Sequence, residues 1–197
     1  MNKKIVSIFL TFALLPSSVG TVFGAKSDID THWAKDSFLR LSQMNIINGY
    51  EDGTFIPDAN ITRAEFVTLM VRILGLAPVE YEAIFTDISA DAWYTENVLT
   101  AYKAGLIEGY AGLFRPDDGI KSEEILKILV ETYEKKKGEI IFAEETFKNT
   151  SDWAVIYAQK AMEIGLISDD KEFILNEKAL REDAAALIYR LLEEVEK

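Results

Sequence analysis

Arg63 is the side chain of this sequence best suited to bind an anion. Thr62 and Glu65 have the spacing of a capping box, which predicts that a helix begins there with Arg63 in its first turn. A cation at this place is unfavourable by about 0.3–1 kcal/mol, because a helix start carries partial positive charge. An arginine beside free backbone N–H groups is nevertheless a suitable receptor for a carboxylate or phosphate. The alternative is a surface ion pair with Asp58 or Glu65, and the sequence does not decide between them.

The position of Arg63 recurs unequally in two later segments of the chain. The segments that align are Ile61–Glu65, Ile120–Glu124 and Ala179–Asp183. Arg181 takes the same place in the third segment, whereas the second has Ser122 there and only Lys121, one residue earlier. If these positions form anion sites, the sites are therefore not equal.

Aromatic residues are the second group that could contact a ligand. Tyr50 and Tyr110 lie in loops that contain glycine, where an aromatic ring can stack on a sugar or pack locally. Trp33, Trp93 and Trp153 are predicted mainly as core residues that anchor each repeat.

The composition disfavours catalysis, and we predict neither a cofactor nor a metal site. His32 is the single histidine, cysteine is absent, and the acidic loop around Asp52 lacks the terminal glutamate of a calcium loop. No phosphate-binding glycine loop or nucleophile elbow is present. The formal net charge of −12 also disfavours nucleic acid and anionic membranes as partners. The sequence therefore predicts a binding protein rather than an enzyme.

These candidate residues belong to a threefold internal repeat. The three tryptophans are sixty residues apart, and each opens a similar stretch: an amphipathic helix, a glycine- or asparagine-bearing turn, a loop and a second amphipathic helix. The first helices are predicted to end at Asn45, Gly105 and Gly165, residues that tolerate a left-handed backbone. The predicted boundaries are 26–76, 77–137 and 138–197 for the three repeats.

Residues 1–25 have the layout of a secretory signal peptide. Lys3 and Lys4 precede an apolar run that ends near Leu15, and cleavage is expected after Gly24 or Ala25. An uncleaved membrane anchor is the alternative, but the run is too short to span a bilayer. We therefore expect a secreted chain with no membrane span after cleavage.

The loop and helix start of the first repeat resemble the S-layer homology (SLH) domain family. The matching residues are Asn48–Asp58 and Ile61–Glu65, preceded by His32–Ala34 and Ile46–Gly49. The second repeat retains Gly105–Tyr110 and Phe114–Asp117. The third is the most degenerate, with Leu175 and Asn176 in place of Pro-Asp. The resemblance extends over all three repeats and nearly the whole chain after the signal peptide.

The resemblance implies an all-α fold in which three tandem helix–loop–helix repeats form a pseudo-threefold spindle around a central helical bundle. It implies a noncatalytic, secreted module at the cell wall or S-layer. This module would bind an acidic secondary cell-wall polysaccharide, attached to peptidoglycan and bearing pyruvate ketals, in grooves between repeats. The alternative is a protein-interaction or self-assembly module with degenerate grooves, whose partner is another envelope protein.

The arginine of the family's Thr-Arg-Ala-Glu motif contacts the acidic sugar, which the resemblance carries over to Arg63. The candidate carbohydrate-binding residues are Arg63, Thr62, Glu65, Gly49, Tyr50, Trp33, Arg181, Lys121 and Tyr110. Two departures weaken the later copies, because Ser122 replaces the arginine of repeat two and Leu180 replaces the threonine of repeat three. The groove of Arg63 is therefore expected to bind best, that of Arg181 less well and one using Lys121 least.

Overall fold

A computed structural model describes residues 27–142, 150–168 and 175–197. The predicted signal peptide lies outside these residues. The described chain is helical and contains isolated β-bridges but no strand, which confirms the all-α prediction. Its elements are α1 (Lys35–Gln43), α2 (Arg63–Leu74), α3 (Thr95–Lys103), α4 (Ser122–Lys137), a 3-10 turn (Asp152–Ala154), α5 (Val155–Glu163) and α6 (Arg181–Glu196). None of the helices in the described ranges combines the length and apolar composition that a bilayer crossing requires.

The helix ends follow the signals in the sequence. The Thr62 hydroxyl accepts a hydrogen bond from the Glu65 amide at 3.2 Å, and the Glu65 carboxylate accepts one from the Thr62 amide at 2.8 Å. This confirms the predicted capping box at the start of α2. Just beyond α1, α3 and α5, Asn45, Gly105 and Gly165 have φ values of 56°, 70° and 80°. These left-handed residues stop the first helix of every repeat, as predicted.

The helices pack between repeats. The second helix of each repeat packs on the first helix of the following repeat, so α2 contacts α3 and α4 contacts α5. The last helix, α6, returns to pack on α1, and it also contacts α4. The fold therefore closes into a cycle in which the beginning and the end of the described chain meet. One apolar core fills the space between these helices, with Phe38, Phe66 and Leu129 fully buried.

Three equivalent residues close that cycle through their main chains. The Ile61 amide donates to the Ala179 carbonyl at 3.1 Å, the Ala179 amide donates to the Ile120 carbonyl at 2.8 Å, and the Ile120 amide donates to the Ile61 carbonyl at 3.1 Å. All three residues are buried. This hydrogen-bond cycle is pseudo-threefold and brings the starts of α2, α4 and α6 together. The spindle shape as a whole stays a prediction.

The loops before the second helices are held by an aspartate from the beginning of the same repeat. The Asp28 carboxylate accepts hydrogen bonds from the amides of Phe55 and Ile56 at 2.9 and 2.7 Å. Asp87 is bonded in the same way to Phe114 and Arg115 in repeat two, at 2.9 and 2.6 Å. Ile56 and Arg115 have φ values of 48° and 60°, which is unfavourable for residues with a Cβ. The two aspartates therefore stabilise a strained backbone.

We predict that Asp28→Ala lowers the free energy of unfolding by about 2 kcal/mol, because it leaves two loop amides without their charged acceptor. Urea denaturation followed by far-UV circular dichroism measures the change. Asp91→Ala is the matched control, since Asp91 is exposed in an equivalent part of repeat two. An equal loss of stability in both variants would contradict the role of Asp28 in holding the loop.

Candidate functional site

Arg63 lies at the seam between repeats one and two. Its Nη1 forms an ion pair with Oε1 of Glu124 at 2.7 Å, and its Nε donates to the Phe114 carbonyl at 3.0 Å. The guanidinium carbon is 5.1 Å from the centre of the Phe114 ring. Both partners belong to the next repeat, so the structure does not show the alternative ion pair with Asp58 or Glu65. The side chain is 18% exposed and held in one orientation from three sides.

Arg181 repeats this geometry at the seam between repeats three and one. Its Nε donates to the Phe55 carbonyl at 2.9 Å, and its Nη1 lies 3.3 Å from Oε1 of Glu65. The Tyr50 ring lies under the guanidinium group, with its centre 5.4 Å from the guanidinium carbon. In both seams an arginine therefore crosses to the next repeat, stacks on an aromatic ring and pairs with the glutamate that caps the neighbouring helix.

The backbone amides at the start of α2 are already hydrogen-bonded, whereas the sequence suggested free N–H groups beside Arg63. The Arg63 amide donates to the Asp118 carbonyl at 2.9 Å, and the Ala64 amide donates to the Pro116 carbonyl at 3.0 Å. The third amide, that of Glu65, is bonded to the Thr62 hydroxyl. An anion at this place must therefore be held by side chains, because the neighbouring repeat has taken the free N–H groups.

The first groove opens beside Arg63 and has a volume of about 540 Å³. Three repeats build it: Arg63 comes from the first, Tyr110, Lys121 and Glu124 from the second, and Trp153 from the third. Lys121 was aligned as a weak substitute for arginine in a groove of its own. The structure places it in the Arg63 groove instead.

The second groove, of about 190 Å³, lies one repeat earlier and has four lining positions in common with the first. Arg181 comes from repeat three, Asn48 and Glu65 from repeat one, and Trp93 from repeat two. The two grooves therefore share one plan: an arginine, the loop and capping glutamate of the next repeat, and the tryptophan of the repeat after that.

The tryptophans are exposed, contrary to the prediction that they are mainly core residues. Trp33, Trp93 and Trp153 are 53%, 63% and 48% exposed. Each lies at the turn just before the first helix of its repeat, where the adjoining residue, such as Ala34 or Ala154, is buried in its place. Trp93 and Trp153 face the two grooves. Neither had been predicted as a site residue, although their alignment with Trp33 could have suggested it.

The remaining predicted residues are divided between the grooves. Glu65 and Tyr50 belong with Arg181, and Gly49 lies in the same loop, where an added Cβ would meet the Thr54 carbonyl oxygen at 2.9 Å. Thr62 is the half-buried cap of α2. The residues predicted as one site around Arg63 are thus brought together only in part. Glu124 and Lys178 were missed, because their contacts join residues about sixty positions apart.

The third seam, between repeats two and three, is built differently. Ser122 occupies the arginine position and is buried, and the neighbouring Glu123 is 2% exposed. Its carboxylate accepts hydrogen bonds from the Ser151 amide at 3.0 Å, the Ser151 hydroxyl at 2.8 Å and the Thr150 hydroxyl at 3.0 Å. Burial raises the pKa of Glu123, but these hydrogen bonds and the charge of Lys121 outweigh it and hold the pKa below its ordinary value of 4.5. This seam is stabilised by a buried carboxylate where the others have an arginine.

His32, Asp58 and Glu182 form the one group in the described residues with the composition of a metal site, their ligand atoms lying within 4.8 Å of one another. The His32 Nδ1 accepts a hydrogen bond from the Ala34 amide, which assigns the ring proton to Nε2. Nε2, which lies 2.8 Å from the Glu182 carboxylate, then carries the ring proton and is not available as a metal ligand. Burial raises the pKa of Glu182. Trp33, next to His32, lies at this contact rather than in either groove described above.

Comparison with known proteins identifies the repeat. The family model of the S-layer homology domain matches residues 27–67 and 84–124, which lie in repeats one and two. The chain belongs to the S-layer homology domain family. Domains of this family are noncatalytic modules that bind cell-wall polymers and anchor proteins at the bacterial cell surface.

SLH sequences similar to this chain occur in much longer proteins. An amylopullulanase of Thermoanaerobacterium thermosulfurigenes is 34% identical over 85% of this chain, which spans 9% of that protein. The surface-layer 125 kDa protein of Lysinibacillus sphaericus is 30% identical over 99% of this chain, which spans 17% of it. The S-layer protein sap of Bacillus anthracis is 34% identical over 66% of this chain, again 17% of its length. The similarity thus concerns a small part of enzymes and of S-layer proteins alike.

We predict that Glu123→Gln lowers the free energy of unfolding at pH 7 by about 1–3 kcal/mol, because an amide cannot accept all three hydrogen bonds. The lowered pKa gives this contribution its pH dependence. It is fully present above pH 4.5, the ordinary value for the unfolded chain, and is lost as the pH falls through the lower folded value.

Urea denaturation of both proteins between pH 7 and pH 3 should therefore show a difference that shrinks towards acid. Glu139→Gln, at an exposed linker position, controls for the loss of one negative charge. A difference that stays constant over this pH range would refute the charged hydrogen-bond network.

Proposed function

We propose that this chain anchors a protein to the bacterial cell wall by binding an acidic, pyruvylated wall polysaccharide in the Arg63 and Arg181 grooves. The observation that carries the proposal is the pair of corresponding open grooves, each lined by a fixed arginine and an exposed tryptophan. A flat ring on a groove wall suits a sugar face, and a guanidinium fork suits a carboxylate.

Arg63 retains a donor for such a carboxylate. Among the described residues its Nε and Nη1 have protein partners, whereas Nη2 has none. The ion pair with Glu124 orients the guanidinium group and leaves Nη2 able to donate a hydrogen bond. A ketal carboxylate would then add to a charge-assisted hydrogen bond in a site that is already organised, which limits the entropy lost on binding.

The three seams are proposed to bind unequally. The Arg63 and Arg181 seams keep the arginine and an open groove. The seam with Ser122 has no guanidinium group, and its helix start is covered by Ser151, which is bonded to Glu123. We therefore assign two binding grooves, and we assign Lys121 to the first of them.

A second candidate function is assembly with another envelope protein. Ile140 and Phe142, in the linker after α4, are 67% and 89% exposed. Exposed apolar residues of this size favour contact with another protein surface. Self-association that is abolished by Phe142→Ser, together with absence of glycan binding, would favour this function over the first.

We predict that Arg63→Ala weakens binding to wall sacculi of the source organism about 10- to 100-fold, because one charged hydrogen bond contributes about 1.5–3 kcal/mol. Cosedimentation of the mature protein measures this, with sacculi that retain or lack their pyruvyl groups. Arg40→Ala, at an exposed arginine of α1, is the control for charge and should bind as wild type.

The indole N–H signals of the three tryptophans give an independent test by NMR. Binding of a pyruvylated wall fragment should shift the signals of Trp153 and Trp93, which face the grooves, and leave that of Trp33 in place. Wild-type affinity of a folded Arg63→Ala variant, or the same shift in all three signals, would refute the assignment.

A further inference from the structure

We infer that the Arg63 groove has a second anion subsite, formed by Lys121 and Lys178, and takes a glycan segment that carries two anionic groups. The Arg181 groove has no such subsite and takes a segment with one. This inference rests on the proposed function, and it adds the charge of the ligand that each groove selects.

Lys121 and Lys178 lie side by side on the wall of the Arg63 groove. Their backbones are paired in an isolated antiparallel bridge, and both residues line the groove. Lys178 reaches it by passing over Gly119, where an added Cβ would come within 2.8 Å of its Cδ. A residue with a side chain at position 119 would therefore have to displace Lys178. The lysine from repeat three and the glycine from repeat two thus fit together.

The cations of this groove are only partly neutralised by the protein. The groove is lined by Arg63, Arg115, Lys121 and Lys178 and by the acids Glu108, Asp118, Glu123 and Glu124. Glu124 is used by Arg63, and Glu123 is used mainly by Thr150 and Ser151, with Lys121 more distant at 3.4 Å. Among the described residues, Lys178 and Arg115 have no carboxylate partner. Because the lining has as many acids as cations, the subsite depends on the positions of Lys121 and Lys178 and not on a net positive charge of the groove.

The Arg181 groove shows what the same plan looks like without these cations. Its position equivalent to Lys121 is Thr62, and its position equivalent to Lys178 is Gly119. Ile56 stands where the first groove has Arg115. The second groove is also smaller, at about 190 Å³ against about 540 Å³. The Arg181 groove therefore has two arginines and no lysine in its lining, Arg181 and Arg72, and Nη1 of Arg72 donates to the Ile46 carbonyl at 2.9 Å. The Arg63 groove has two arginines together with the lysine pair.

The test uses two synthetic disaccharides of the same sugars. The first carries a single pyruvyl ketal, and the second carries the ketal and one phosphate ester on the other sugar. Titration calorimetry gives the affinity of the mature chain for each probe, and the indole signals of Trp153 and Trp93 report which groove is filled. We expect the dianionic probe to bind at the Trp153 groove about tenfold more tightly than the monoanionic probe. At the Trp93 groove we expect equal affinities.

Lys121→Ala combined with Lys178→Ala should abolish the tenfold preference for the dianionic probe. The control is Lys135→Ala combined with Lys136→Ala, which removes the same two charges at the end of α4. That control should keep the preference. Loss of the preference in both double variants would show that the overall charge of the protein causes it, and this result would refute the subsite.

Failure of this inference can be told apart from failure of the proposed function. If the monoanionic probe binds and Arg63→Ala weakens it, but the phosphate ester brings no gain at Trp153, the subsite is refuted and the function stands. If neither probe shifts Trp153 or Trp93, the proposed function fails together with the subsite.

Discussion

The cycle of main-chain hydrogen bonds between Ile61, Ile120 and Ala179 is the constraint on which the rest of the structure depends. It fixes the three short segments that enter the second helices, and with them the position of the first side chain of each helix. Because these bonds are made by the main chain, they tolerate different side chains at the neighbouring positions. Thr62, Lys121 and Leu180 can therefore occupy equivalent places without opening the cycle. The three repeats therefore differ mainly in the side chains that they contribute to the grooves.

A consequence of the cycle is that no groove belongs to one repeat. The first amides of each second helix are bonded to carbonyls of the following repeat, which carries the loop beneath the arginine. The arginine lies over that loop and meets the next capping glutamate. Glu65 and Glu124 therefore each have two roles, since they cap their own helices and orient the arginine of the preceding copy. A change at either residue acts on helix stability and on a groove together.

The sequence predicted the helices and their ends well, but it predicted only some of the contacts between repeats. The sixty-residue period, the capping box and the left-handed ends at Asn45, Gly105 and Gly165 are local signals, and the structure confirms each of them. The exposure of the tryptophans and the pairing of Arg63 with Glu124 depend on contacts between repeats. A linear pattern does not contain that information, because several acids near Arg63 in sequence were equally suitable partners. The loop clamps of Asp28 and Asp87 escaped notice for the same reason, since they act on amides 27 and 28 residues away.

An acidic chain can hold an acidic polymer, as proposed here, because the effect of each charge depends on its distance from the ligand. Charges separated by more than about 8–10 Å are largely screened at physiological ionic strength, so most of the carboxylates of the molecule have little effect inside a groove. An arginine within the groove acts at contact distance and in a partly desolvated place, where screening is weaker. The ion pair with Glu124 does not cancel this effect, because it fixes the fork of the guanidinium group and leaves Nη2 directed elsewhere. A high net negative charge is therefore compatible with an arginine that receives an anion in a groove, and the charge of the whole chain says little about the charge of a ligand.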